Sequence, residues 1–456
     1  MRFDTRRRAE RPPAGPGGAR RTATGTNASI LALQAAIGNR NLQRVVAPGW
    51  VLARYDTGEH AQFGLDRIVY VRDDVQITEQ EMIALGGDLY ERLEDIDQAD
   101  LDELRALVEL VRRDRNAYLG VGEAAHVSNE EWQKATKTGP HRKKSFLELA
   151  EDNATHFAPR ETGSDGRDHK AQWERMHRQA LDIAHTAKSV EEARRATAYN
   201  AFAGHFLTDA FASGHLISKL DVVDFAKRNF DVDETWGTLI KETRFTREVA
   251  TRLLDDPRSG PKLKQLKIRI VRWGDMEVEK LSELLYGTAD EHPELFFGVY
   301  VKLIHDWLNE AGVEVANAHG DKWTVFGDDY MAKSPDTLRI GNAAVEQSDR
   351  NLAVAHATPG PLDYQALFGK VWSYTPQPTE QGKRLIDHTT ARIGNPLNKR
   401  GAMKFADFVA DHIDGIIDHL KGEHRLASDA EVAAERPSPQ QEADERRGHL
   451  VGGQKF

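Results

Sequence analysis

His205, Asp209 and His215 stand in one short run, Ala201-Phe202-Ala203-Gly204-His205-Phe206-Leu207-Thr208-Asp209-Ala210-Phe211-Ala212-Ser213-Gly214-His215. On a helix, residues four apart project from the same face one turn apart, so His205 and Asp209 can share one ion. Phe202, Phe206, Leu207, Ala210 and Phe211 crowd the other sides, which predicts a helix buried nearly all round. An ionised carboxylate in such an interior needs a cation or a metal beside it. By itself the His-x3-Asp spacing also suits a structural hydrogen-bonded pair. His215 changes the balance: it follows Gly214, where a helix can end and turn the next imidazole back toward the same pocket.

His-x3-Asp-x5-His on a buried helix resembles the metal-binding signature of the zinc-dependent phospholipases C and the single-strand nucleases related to them in fold. In that family a His-Phe pair on a preceding loop supplies another ligand, and here Asp152-Asn153-Ala154-Thr155-His156-Phe157 precedes His205. The resemblance covers roughly residues 140 to 220, and the remainder only through helical character. It implies an all-α, multi-helix bundle holding two or three zinc ions. Asp209 would bridge two metals, His156 and His205 would complete one site, and His215 would belong to a second. That second site takes a further His and a carboxylate four residues on. The nearest match is His305 with Asn309, or Glu310 beside it, in Lys302-Leu303-Ile304-His305-Asp306-Trp307-Leu308-Asn309-Glu310. The amide at 309 and the long interval from His215 are departures from the family pattern. An early His and a water-activating Asp correspond to His60 in Gly58-Glu59-His60 and Asp88 in Gly86-Gly87-Asp88. The family's free amino terminus at a Trp has Trp50 as its counterpart, which is internal in this chain.

The chemistry implied is phosphodiester hydrolysis, with Asp209 and Asp88 in catalytic roles. Clustered zinc lowers the pKa of bound water and neutralises charge on phosphoryl oxygens. Phe157, Phe206, Phe211 and Leu216 around the site suit a phospholipid or membrane-surface substrate, and equally a packed core. A single-strand-type nuclease and a non-catalytic, metal-stabilised assembly protein are the alternatives.

A second resemblance lies near the start of the chain. Leu33-Gln34, Gly38-Asn39 and Arg44 resemble the leader of proteins associated with bacterial extracellular contractile injection systems. It implies a toxin or effector made in the bacterial cytoplasm and exported as cargo, docking on the injection-system particle through residues 30–46.

The elements that must position these residues read as mostly helical. Leu101, Leu104, Val108 and Val111 recur at helical spacing, Ala171 to Ser213 runs long without breakers, and similar patterns lie at Trp236 to Leu254, Phe296 to Ala311 and Met403 to Leu420. Alternation in Val51 to Tyr55 and Ile68 to Val71 predicts minor β structure near residues 50–75. Arg, Pro, Gly and Thr dominate residues 1–28, so residues 1–48 are expected to be a disordered arm followed by a short leader helix, with the main domain over 49–425. A polar, charged tail is expected to be disordered over 426–456.

Across 456 residues there is no cysteine, which removes disulfides, thiolate zinc sites and cysteine nucleophiles. The formal net charge of −10 weighs against nucleic acid as a partner. Gly-x-Ser-x-Gly, Walker A and His-Glu-x-x-His sequences are missing. The most apolar stretch, Leu295 to Leu308, is broken by Lys302, His305 and Asp306, so no transmembrane segment is expected. Arg6, Arg7 and Arg8 are not followed by an apolar stretch, so no signal peptide is expected either. His126, His141, His169, His177 and His185 lie among polar neighbours and are expected to be solvated.

Overall fold

The computed structural model describes residues 57–122, 124–136, 153–162, 166–231, 243–265, 267–269, 273–275, 277–327, 330–414 and 417. The arm and leader over 1–48, Trp50, the strand expected at Val51 to Tyr55, His141 and the tail over 426–456 lie outside those residues.

The described chain is mainly helical with small antiparallel sheets. Its first part runs α1 (Thr57–His60), β1 (Ile68–Arg72), β2 (Val75–Thr78), α2 (Glu79–Leu85), α3 (Leu93–Gln98), α4 (Leu101–Tyr118) and α5 (Asn129–Ala135). A 3-10 turn at Asn153–His156 leads to α6 (His169–Thr186) and α7 (Val190–Asp209), followed by a second 3-10 turn at Ser213–Leu216. Then come α8 (Lys219–Asp231), α9 (Arg244–Asp255), α10 (Gly260–Leu263), β3 (Lys267–Arg269), β4 (Trp273–Asp275), α11 (Val278–Glu291) and α12 (Pro293–Ala311). The last part comprises β5 (Val313–Ala316), β6 (Lys322–Val325), α13 (Pro335–Ala357), α14 (Tyr364–Trp372), β7 (Gln377–Pro378), α15 (Glu380–Ile393) and α16 (Lys399–Asp411).

The single run expected from Ala171 to Ser213 is two helices, α6 and α7. Ser189 breaks it: its side chain accepts from the Glu192 N–H while Glu192 reaches back to the Ser189 N–H, a reciprocal cap that starts a new helix. β1 pairs antiparallel with β2, in line with the expected minor β structure. The three-stranded sheet in the order β6-β5-β7 and the β3–β4 pair were not expected. Their strands of two to four residues are too short to show an alternation of their own.

α7 is the central element. Its first turn carries exposed Glu191 and Glu192, whereas Tyr199 to Asp209 is buried without interruption. α6, α2, α13 and β1 pack around it. Fully burying a side chain such as Phe202 or Phe206 stabilises the fold by about 1.5–3 kcal/mol, so this enclosure holds the helix end firmly. α12 is the second organiser, set against the Ser213–Leu216 turn, α8, α11, α15 and α16. No described helix is long and apolar enough to cross a membrane.

Candidate metal centre

The inner end of α7 presents Asp209, whose side chain is 1% exposed. One oxygen, Oδ2, lies 3.1 Å from His156 Nδ1 and 3.7 Å from His205 Nε2. The other, Oδ1, lies 3.3 Å from His215 Nδ1 and 3.7 Å from His60 Nε2. Asp209 thus stands between two pairs of imidazoles, one per oxygen. Oδ1 is buried without a hydrogen bond, a costly state for a carboxylate oxygen that an ion would relieve.

Asp88 adds a second carboxylate. Its Oδ1 is 3.9 Å from both His156 Nδ1 and His205 Nε2, and these two nitrogens are 3.1 Å apart. Four donors bound tetrahedrally at zinc distances would lie about 3.3 Å from one another. Asp88 Oδ1, His156 Nδ1, His205 Nε2 and Asp209 Oδ2 give separations of 3.1 to 3.9 Å over the pairs just described. They form a cage of the right chemistry and nearly the right size. His60 with His205 and Asp209 forms an adjoining group.

Local sequence explains how each donor arrives. Gly87 adopts φ +69°, and a Cβ there would lie 2.3 Å from the His205 ring and 2.7 Å from that of His156. Only glycine lets the chain pass both imidazoles and present Asp88. Asp114 grips the first helix: its Oδ2 accepts from Gly58 N–H at 3.2 Å and its Oδ1 from Val127 N–H at 2.9 Å, which fixes α1 and with it His60. The His156 turn is tied down where Ala158 N–H donates to the carbonyls of His215 and Ile217.

Hydrogen bonds away from the centre set which imidazole nitrogen is free. His205 Nδ1 faces the Ile83 carbonyl at 3.1 Å; a carbonyl can only accept, so Nδ1 carries the proton and Nε2 keeps its lone pair. The Thr208 hydroxyl donates to the His205 carbonyl at 2.8 Å, so it accepts from His60 Nδ1 at 2.7 Å. His60 Nε2 is then also left as a lone pair aimed at Asp209.

Charge follows the same plan. Burial alone would raise the Asp209 pKa, but His205, His156 and His215 outweigh it and hold the carboxyl well below its ordinary range. Burial pushes the His205 imidazole well below its usual value, keeping it neutral. For His156 burial acts downward, yet Asp209 and Asp88 more than offset it and the pKa rises. Burial raises the Asp88 carboxyl despite His156 and His60 nearby. The ionised Asp209 carboxylate and the neutral His205 are in the state in which such groups bind a cation, and His156 must release its proton to join them.

The remaining expected residues form a second cluster. The rings of His215 and His305 have centroids 5.0 Å apart, and Phe157 stacks on His215 at 5.1 Å. His305 is buried, not a surface side chain. Asn309 Oδ1 accepts from Gly214 N–H at 2.5 Å, with the Ser213 hydroxyl at 3.3 Å. Glu310 is exposed.

Of the expected ligand positions within the described residues, His60, Asp88, His156, His205 and Asp209 meet at the end of α7, with His215 beside Asp209 Oδ1; His305 and Asn309, on α12, lie against His215 and the Ser213–Leu216 turn. Thr208 and Asp114 were not singled out from the sequence; a hydroxyl or carboxylate that reaches a histidine or its helix from a distant part of the chain has no spacing to reveal it. The expectation that His169 and His177 are solvated is wrong. They are 6% and 0% exposed, because they lie on the inward face of α6 while its charged residues cover the outward one. His177 Nδ1 bonds Asn200 Oδ1 at 2.6 Å and its ring stacks on Trp173. His126, near Asp114 at 3.4 Å, and His185, bonded to the Ala355 carbonyl, are only partly exposed.

Comparison with protein-family models, curated proteins and solved structures finds no match.

Proposed function

We propose that this chain is a metal-dependent phosphodiesterase, with zinc as the ion and a phospholipid as the substrate. The observation that carries the reading is the buried Asp209 carboxylate, one oxygen facing His156 and His205 and the other, without a hydrogen bond, facing His60 and His215. The donor set contains only imidazole and carboxylate, which zinc accepts and which suits harder divalent ions too. Asp88, His156, His205 and Asp209 would hold the ion, and His60 with Asp209 would serve a neighbouring one.

Ions held there supply acidity to coordinated water and neutralise charge on phosphoryl oxygens. The protein's own residues do the rest. Asp88, with a side chain 23% exposed, is the more solvent-accessible carboxylate of the centre and the one placed to take a proton from water. His205 and His60 are held in fixed tautomers by Ile83 and Thr208. Phe157 and Phe206, in ring contact with His215 and His156, give the centre apolar walls, and the formal charge of −10 favours a lipid over a polyanion.

The test is release of phosphocholine from a phosphatidylcholine vesicle, with single-stranded DNA as a parallel substrate. Chelator-sensitive lipid turnover, lost in His205→Ala and Asp209→Asn, is expected. Faster cleavage of DNA would favour the nuclease, and no chelator-sensitive turnover of either would favour a metal-stabilised assembly protein. We further propose that residues 30–46 load the chain as an effector into an injection-system particle; deletion of residues 1–48 should abolish packaging and leave hydrolysis intact, and unchanged packaging would exclude it.

A further inference from the structure

We infer that Arg67 and Asp349 are positioning residues of the metal centre: a polar bridge through Glu79, Arg67, Asp349 and Asn200 locks α2 to α7 and thereby holds Asp88 opposite His205 and Asp209. The inference rests on the metal centre proposed above and concerns what keeps its donors in register.

The donors come from separate elements. His205 and Asp209 stand on α7, whereas Asp88 follows the end of α2 by three residues. Asp88 Oδ1 is 3.9 Å from both His156 Nδ1 and His205 Nε2, farther than the 3.1 Å between those two nitrogens. A small shift of α2 away from α7 therefore takes this carboxylate out of reach of the ion. The C-terminal end of α2 is joined to α7 by the Ile83 carbonyl, which accepts from His205 Nδ1 at 3.1 Å, and a Cβ on Gly86 would lie 2.7 Å from the Phe202 carbonyl oxygen. One attachment of that kind still lets a helix swing about it. The second is Glu79, one turn back and about 6 Å along the axis.

The Glu79 side chain is fully enclosed. Its Oε2 accepts from Leu65 N–H at 3.0 Å and from Arg67 Nε at 3.1 Å, and its Oε1 from Arg67 Nη2 at 3.3 Å. The same Nη2 reaches Asp349 Oδ2 on α13 at 2.5 Å. Asp349 Oδ1 accepts from Asn200 Nδ2 at 3.0 Å, and Asn200 is a buried residue of α7. Asn200 Oδ1 accepts in turn from the Ser348 hydroxyl at 2.7 Å and from His177 Nδ1 at 2.6 Å, so both ends of the amide are committed and α7 is tied to α6 and α13. A parallel strap runs from Gln80 on α2 to the Gly64 carbonyl, and from Gly64 N–H to Asn342 on α13. The Arg67 side chain is 42% exposed, and an ion pair so open to water adds little to stability. What a guanidinium shared by two carboxylates fixes is orientation, because its planar donors hold each oxygen in a set direction.

Arg67→Lys keeps the charge and removes the planar fork that spans Glu79 and Asp349. Zinc affinity of the full-length chain is measured by competition titration for the wild type, Arg67→Lys, Asp88→Ala and the double variant, with Asp349→Asn carried through the same cycle. Arg67→Lys and Asp349→Asn should each weaken zinc binding about 10-fold in the wild-type background. Neither should weaken it further in Asp88→Ala, where the ligand they position is missing. An unchanged affinity in the wild-type background, or the same loss with and without Asp88, would overturn the inference while leaving the metal centre standing, since either result assigns the bridge to fold stability alone. A wild-type chain that binds no zinc overturns the centre and this inference together. Should Arg67→Lys not fold, the Asp349→Asn cycle decides.

Discussion

Replacing Asp209 with Asn keeps the shape of the side chain and removes its charge. Asp209 faces His60, His156, His205 and His215 at once, so its loss strips a ligand from both donor groups. Losing a single residue that merely orients a ligand weakens metal affinity about 10–100-fold, so losing a shared ligand costs at least the upper figure. Zinc buffered at about 100 times the wild-type Kd stabilises the folded chain by about 2.7 kcal/mol. With affinity down about 100-fold, the same free zinc stabilises Asp209→Asn by only about 0.4 kcal/mol. For a domain of this size the zinc-induced rise in Tm falls from roughly 3 °C to about 0.5 °C. Paired thermal melts in buffered zinc and in chelator read this directly. A variant whose Tm still rises as far as that of the wild type would refute the reasoning that Asp209 binds the ion.

Thr208→Val removes the acceptor of His60 Nδ1 and frees the ring to change tautomer; zinc affinity should drop about 10–100-fold in a competition titration, with far-UV circular dichroism unchanged. Gly87→Ala sets a methyl against His205 and His156 at a positive φ, so it should cost more than about 1 kcal/mol in urea unfolding and abolish zinc retention. His177 is neutral in the fold, its pKa lowered to about 4 chiefly by burial. As pH falls below its ordinary 6.5 the unfolded chain takes up the proton first, so stability declines from there down to about pH 4, by about 3 kcal/mol in all. In His177→Gln, urea unfolding at pH 7 and pH 4.5 should differ by markedly less than in the wild type; an equal difference would contradict the assignment.

What the sequence revealed follows the reach of its periodicities. His205 and Asp209 were legible because a helix repeats at 3.6 residues, and the apolar residues between them marked that helix as enclosed. Gly214 and Gly87 were legible because glycine permits turns that other residues resist, and each precedes a residue that reaches the centre. His169 and His177 were misread because polar neighbours in sequence occupy the opposite face of α6. The boundary at Ser189 was written in its reciprocal cap with Glu192 but was overridden by the length of the apolar pattern. Thr208 and Asp114 act through contacts set by tertiary packing, across 148 residues for His60 and Thr208, and no local spacing encodes them. The short strands β5, β6 and β7 owe their existence to one another, which a linear reading does not capture.

The account turns on whether these side chains close around an ion, and X-ray absorption at the zinc edge of the loaded full-length chain reports that shell directly. It should show nitrogen and oxygen neighbours at about 2.0–2.2 Å with the multiple-scattering pattern of at least two imidazoles, both reduced in Asp209→Asn. A spectrum without imidazole scattering, or a chain that retains no zinc to examine, would contradict it.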